Sequence, residues 1–202
     1  MSDLVQYIKS LENPVIFDKK DKFIYFPINK NMQRSFTRSI LKDRVIICKN
    51  RQAKKQWGEK SKKLSAESLK KAFKFGVVRN PYEKYISAYD YLSKQGSLKK
   101  WSNKDINWFT ENIFGKVYDD PHFQKQVPQL YYKDNIMVDY IIRMEGDVRQ
   151  QLAELGKKIG SPLKYAHRNK SKKASKLSKK SKEILFDYYK EDFLKLGYDP
   201  DL

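Results

Sequence analysis

Cysteine occurs once in the 202 residues, so no internal disulfide can form. Its place, Cys48 at the end of the β-rich run Arg44 to Cys48, reads as core and not as a nucleophile. No apolar run approaches the ~20 residues of a membrane-spanning helix. The opening Met-Ser-Asp lacks the basic and apolar regions of a signal peptide, so the expectation is a soluble, cytoplasmic protein. The eight glycines include no Gly-Lys-Ser/Thr sequence, and the missing Walker A loop argues against an NTPase. No metal-ligand cluster and no internal repeat is visible. Acids are scarce as well: 24 Asp and Glu against 43 Lys and Arg leave a formal charge of +19. That charge predicts affinity for something polyanionic, with nucleic acid, a sulfated or uronic sugar and a phosphorylated nucleotide all qualifying.

Against these absences, 40% apolar and 14% aromatic residues exclude global disorder, and the length suits one α/β domain spanning 1–202 with a real core. Asp3 to Leu11 has helical spacing, with Leu4, Ile8 and Leu11 on one side. Val15 to Phe17 and Phe23 to Pro27 read as short strands separated by the charged turn Asp18 to Lys22. Arg44 to Cys48 is a further strand, Lys49 to Lys71 is polar and lysine-rich with a helix from Ser65 to Ala72, and Lys104 to Phe114 is helical with Ile106, Trp108, Phe109 and Ile113 as apolar anchors. Val138 to Met144 is a strand. Gly146 and Asp147 then open a helix that ends at a left-handed Gly160, and an amphipathic helix runs from Lys182 to Leu196.

Two stretches look built for anions. Phe73 to Val78 is an apolar strand ending in Arg79; Asn80-Pro81 caps and starts a helix, with Glu83 completing a capping pattern. In that helix Tyr82, Tyr85, Ile86, Tyr89 and Leu92 share a face, and Ser87 falls well away from it. A long Arg79 side chain can close most of the gap to Ser87, leaving room for one anion between them. The second stretch, Ile28-Asn-Lys-Asn-Met-Gln-Arg-Ser-Phe36, follows a strand and runs into a helical segment, which aims backbone N–H groups at whatever the loop holds.

Arg79-Asn-Pro with Ser87-Ala-Tyr eight residues on resembles the 3′-phosphate motif of sulfotransferases that use 3′-phosphoadenosine 5′-phosphosulfate (PAPS), particularly the carbohydrate-modifying branch. The 28–36 loop resembles their 5′-phosphosulfate loop, Pro-Lys-Thr-Gly-x-Thr-Ser, with Lys30 on the lysine and Ser35 on the last serine. Asn29 replaces the proline, and Asn31, Met32, Gln33 and Arg34 replace the small residues and the glycine, so the backbone has less freedom to wrap a phosphate. Either Gln33 and Arg34 compensate through their side chains or the loop is impaired. Asp139-Tyr-Ile-Ile-Arg-Met-Glu145 and the closing Tyr189-x-x-Asp-Phe-x-x-Leu-Gly-Tyr198 also resemble family segments, in family order. Asp120-Pro-His-Phe-Gln-Lys-Gln-Val-Pro-Gln129 resembles the family's His-x-x-Pro-Gln.

The resemblance implies a P-loop-like α/β fold, with a central parallel sheet flanked by helices, and in-line transfer of a sulfuryl group from PAPS to a hydroxyl of a carbohydrate that the basic surface favours as anionic. Lys30 would stabilise the leaving oxygen, Ser35 and the loop the 5′-phosphate, and Arg79 with Ser87 the 3′-phosphate, without a metal. His122, whose side chain suits proton transfer near neutral pH, is the best candidate base; it reads equally as a capping or buried histidine. Glu59 and Glu67 are weaker candidates that read as solvated helix charges. Lys164 to Lys182 carries nine Lys or Arg and no acid. It reads either as a disordered basic segment or as a lid in which His167 to Ser171, including Arg168 and Lys170, covers the nucleotide. Animal relatives are Golgi enzymes with a membrane anchor, so the chain is a differently located relative or a lumenal domain cut from one. Two further readings remain: a basic nucleic-acid-binding protein with Lys164 to Lys182 as its arm, and a fold relative without activity.

Overall fold

The computed structural model describes residues 2–11, 13–41, 45–48, 61–62, 65–101, 103–163, 165 and 175–201. Trp57, Glu59, His167, Arg168 and Lys170 lie outside them. Backbone contacts group the chain into two compact units, Met1–Val78 with Pro128–Arg168 and Arg79–Val127 with Asn169–Leu202. The strands are β1 (Ile16–Asp18), β2 (Phe23–Phe26), β3 (Val45–Cys48), β4 (Ser61–Lys62), β5 (Phe73–Val78), β6 (Tyr131–Tyr132), β7 (Asn135–Ile136) and β8 (Tyr140–Arg143). The longer α-helices are α1 (Ser2–Ser10), α2 (Ala66–Lys71), α3 (Pro81–Lys94), α4 (Ile106–Asn112), α5 (Val148–Lys158) and α6 (Lys179–Leu196).

In the first unit six strands form one sheet in the order β4-β3-β1-β2-β5-β8. β1 runs antiparallel to both neighbours, and the pairs β2–β5, β5–β8 and β3–β4 are parallel. The expected parallel sheet is therefore present with one reversed strand among those described. The reversal follows from the short turn after β1, because strands joined by a few residues can pair only antiparallel. Asp18 accepts hydrogen bonds from the N–H groups of Lys20 and Lys22, and Asp21 takes φ 57 to close the turn. One sheet face presents Ile16, Phe23, Tyr25, Phe75, Val77 and Ile142, packed with Phe36, Ile40 and Leu41, with Leu152 and Leu155 of α5 and with Ile159 just after it. Tyr25, Phe36 and Phe75 stack on one another with ring centres 5.0 to 5.8 Å apart. On β5 the side chain of Leu130 comes so close to Gly76 that a Cβ there would lie 2.5 Å from its Cδ2. α5 starts at the Asp147 cap and ends two residues before a left-handed Gly160.

The second unit is an aromatic helical cluster. Tyr82, Tyr85, Ile86 and Leu92 of α3 meet Phe109, Phe114 and Phe123 and the α6 residues Leu185, Tyr189 and Phe193. The caps follow the sequence: Asn80 accepts from Tyr82 and Glu83, Asp105 from Trp108, and Ser178 from Ser181, while Gly197 ends α6 at φ 65. Trp108 departs from expectation. It is an exposed residue with the Lys104 ammonium 4.9 Å from its ring centre, because its neighbours Ile106 and Phe109 already occupy the buried side of α4.

Candidate functional site

In the first unit β2 delivers the chain to the 28–35 loop. Lys30 and Met32 both take left-handed backbone, φ 70 and 55, and Met32 falls where the sulfotransferase pattern has its glycine. An L-residue there costs roughly 1–2 kcal/mol. Burial of the Met32 side chain among Phe36, Ile40 and Leu41 offsets it, at about 1.5–3 kcal/mol for a full Met side chain. The left-handed turn is thus made by a methionine anchored in the core. Asn31 is buried and donates through Nδ2 to the Val77 carbonyl at 3.0 Å, which ties the loop tip to the end of β5, two residues before Arg79. The chain then turns helical over Gln33–Ser35 and continues as a π-helix over Phe36–Ile40, with Leu41 N–H donating to the Phe36 carbonyl at 2.7 Å. Ser35 is buried, Lys30 and Gln33 are half-buried, and Arg34 is exposed.

In the second unit Arg79, Glu83, Ser87 and Tyr91 follow one another at intervals of four residues, which sets them on one stripe of α3 and its entry. The guanidinium of Arg79 meets the Glu83 carboxylate at 3.1 Å. Through Oε2 that carboxylate reaches back one turn, and in sequence it stands on the stripe between Arg79 and the half-buried Ser87. Arg79 is enclosed, at 17% side-chain exposure, and Glu83 is open, at 45%. His122 shares the stripe's far end: its ring lies 5.0 Å from that of Tyr91, one turn beyond Ser87. Its Nδ1 sits 2.9 Å from Asp120 Oδ1, and the same oxygen accepts from the His122 N–H. Glu67 is exposed in the first turn of α2, where an acid complements the helix dipole.

Sequence reasoning missed a buried polar network. Lys84 is fully enclosed and donates to the carbonyls of His122 and Gln124 at 3.0 and 2.6 Å. Asp192, also enclosed, accepts from the N–H groups of Gln126 and Val127 at 2.8 to 2.9 Å. Burial pushes its carboxyl above the usual range, while those N–H bonds and the charge of Lys84 pull it back. Tyr189 donates to the Phe123 carbonyl at 2.5 Å. Gln126 in turn grips Arg79: Oε1 accepts the Arg79 N–H at 3.0 Å and Nε2 donates to the Arg79 carbonyl at 2.7 Å. A signal existed for two members, since Asp192 belongs to the closing Tyr-x-x-Asp-Phe pattern and Lys84 lies three and four residues from Pro81 and Ala88, both buried.

At the described end of the basic segment, Lys179 and Lys182 line a cavity of about 500 Å³ with Tyr82, Leu177 and Phe186. Among the described residues no group of His, Cys, Asp and Glu gathers to hold a metal ion, and no helix is long and apolar enough to cross a membrane.

No curated protein and no solved structure matches the chain. The family model described as the Sulfotransferase family matches residues 13–199, a span that takes in the left-handed loop, the Arg79–Ser87 stripe and the Asp192 network, and the chain belongs to that family.

Proposed function

We propose that this sulfotransferase moves a sulfuryl group from PAPS to a hydroxyl of an anionic carbohydrate. The observation that carries the reading is the 28–35 loop, where a left-handed Met32 stands in the glycine's place and so keeps the backbone course that a phosphate-wrapping loop requires. Bound PAPS supplies an activated sulfur–oxygen bond, and the chain's own residues position and neutralise charge. Lys30 offers an ammonium to the bridging oxygen as that bond breaks, Ser35 with Gln33, Arg34 and the loop amides holds the 5′-phosphate over a loop that buried Asn31 fastens to Val77, and Arg79 with Ser87 holds the 3′-phosphate. Glu83 is the carboxylate that the 3′-phosphate displaces from Arg79. Arg168 and Lys170 add charge to the nucleotide side. The acceptor hydroxyl attacks sulfur in line and gives its proton to a base. His122 is the candidate base, because an Asp120 carboxylate accepting from Nδ1 leaves the lone pair on Nε2. The chain is proposed to act as one catalytic domain in the cytoplasm.

Adenosine 3′,5′-bisphosphate should raise the melting temperature far more than adenosine 5′-monophosphate, and labelled sulfate should pass from PAPS to a polysaccharide panel with anionic members preferred. Equal stabilisation by the two nucleotides, with no transfer to any polysaccharide, would overturn the reading. The charge of +19 keeps a nucleic-acid binder as the second reading, favoured if duplex binding persists undiminished beside saturating bisphosphate.

A further inference from the structure

Arg79 lies between β5 and α3, in neither element, so neither a strand ladder nor a helix fixes its backbone. A guanidinium at the end of a long side chain is only as well placed as the Cα that carries it. Both free backbone groups of Arg79 are taken by one side chain, Gln126, whose amide accepts the N–H at 3.0 Å and donates to the carbonyl at 2.7 Å. A primary amide is the group that can do both at once. Gln126 is itself buried, with its own N–H given to both carboxylate oxygens of the buried Asp192 at 2.9 and 2.8 Å. The segment around it is also held by Lys84 on the carbonyls of His122 and Gln124, Tyr189 on that of Phe123, and Asp192 again on the N–H of Val127.

We propose that Gln126, braced by Asp192, is the positioning residue that sets Arg79 for the 3′-phosphate and thereby gives the enzyme its preference for nucleotides that carry one. The inference rests on the proposed role of Arg79. Gln126→Glu keeps an acceptor for the Arg79 N–H but sets a carboxylate oxygen against the Arg79 carbonyl. Gln126→Met keeps the length and loses both bonds. The first change loosens the backbone of Arg79 and the second frees it, and both leave its guanidinium in the chain.

The test is calorimetric affinity of the full chain for adenosine 3′,5′-bisphosphate and adenosine 5′-monophosphate, in the parent, R79A, Q126E, Q126M and the double variant R79A/Q126M. The ratio of the two affinities isolates the 3′-phosphate. Each Gln126 variant should lower that ratio about tenfold, the loss expected of one or two neutral hydrogen bonds, with monophosphate affinity within about twofold of the parent. The double variant should have the ratio of R79A alone, as expected when two residues act as a unit. A ratio lowered by R79A but kept by both Gln126 variants overturns the positioning role and leaves the reading of Arg79 standing. A ratio kept by R79A overturns both. Equal loss of affinity for the two nucleotides in the Gln126 variants makes Gln126 merely structural and also overturns the proposal. If Q126M does not fold, Q126E carries the same comparison.

Discussion

Lys30 and Met32 turn the loop by the same means, a left-handed backbone on an L-residue, but only Met32 is held by its side chain in the core. Alanine at position 30, equally strained there, removes the ammonium without relaxing the loop. Lys30→Ala is expected to lower turnover about a hundred- to a thousand-fold, the cost of removing one transition-state stabilising group at about 2.7–4 kcal/mol. Bisphosphate affinity should move far less, because the bridging oxygen gains its charge only as the sulfur bond breaks. Transfer of labelled sulfate beside calorimetry separates the two, and turnover at the parent's rate would make Lys30 an ordinary surface lysine. His122 faces a sharper choice. Its stacking on Tyr91, one turn beyond Ser87, sets it beside the proposed 3′-phosphate pair, whereas its Asp120 partner suits a base. His122→Asn should cut turnover by about 10²–10⁴ with unchanged bisphosphate affinity if it takes the proton; weakened bisphosphate binding at near-normal turnover would assign it to the 3′-phosphate side instead.

At the scale of elements, the helices and most strands were legible because caps and periodicity act within a few residues. Asn80 and Asp147 cap the helices whose starts they mark, whereas the caps Asp105 and Ser178 set starts at Ile106 and Lys179, not at the expected Lys104 and Lys182. The π turn at Phe36–Ile40 was not legible, since its composition does not differ from that of an α-turn. Nor was the amide grip at strand ends, which recurs: Gln151 accepts from the N–H of Arg143 and donates to its carbonyl at the end of β8, as Gln126 does for Arg79 after β5. Lys84 is the element-scale counterpart, fastening α3 to the 122–124 segment. Lys84→Met leaves two carbonyls without their donor and Asp192 without a nearby charge, a loss of about 3–5 kcal/mol for breaking a buried charged arrangement. At roughly 2–4 °C per kcal/mol for a chain of this size, the melting temperature should fall by at least about 6 °C. A fall of under about 2 °C would show that the ammonium contributes nothing at its enclosed position.

At the scale of the whole molecule, the charge of +19 calls for steep salt dependence in acceptor binding. With a slope of roughly −0.7 to −0.9 per ion contact, two contacts weaken binding about tenfold over a fourfold rise in salt. A heparan-type polysaccharide measured in a salt series should show at least that slope, and a salt-independent affinity would detach the charge from the acceptor. That charge, the order of the motifs and the existence of the helices follow from the sequence alone, because composition and contacts within four residues suffice for them. The fold alone shows that Lys84, Gln126 and Asp192 are buried, that Glu83 turns back to Arg79, that Trp108 faces outward and that Met32 takes left-handed backbone. The bonds that pin the network span 40, 47 and 66 residues of chain. A lysine, a glutamine and an aspartate read alone as surface residues, because burying each is costly until its partners are in place, and those partners come together only in the folded chain.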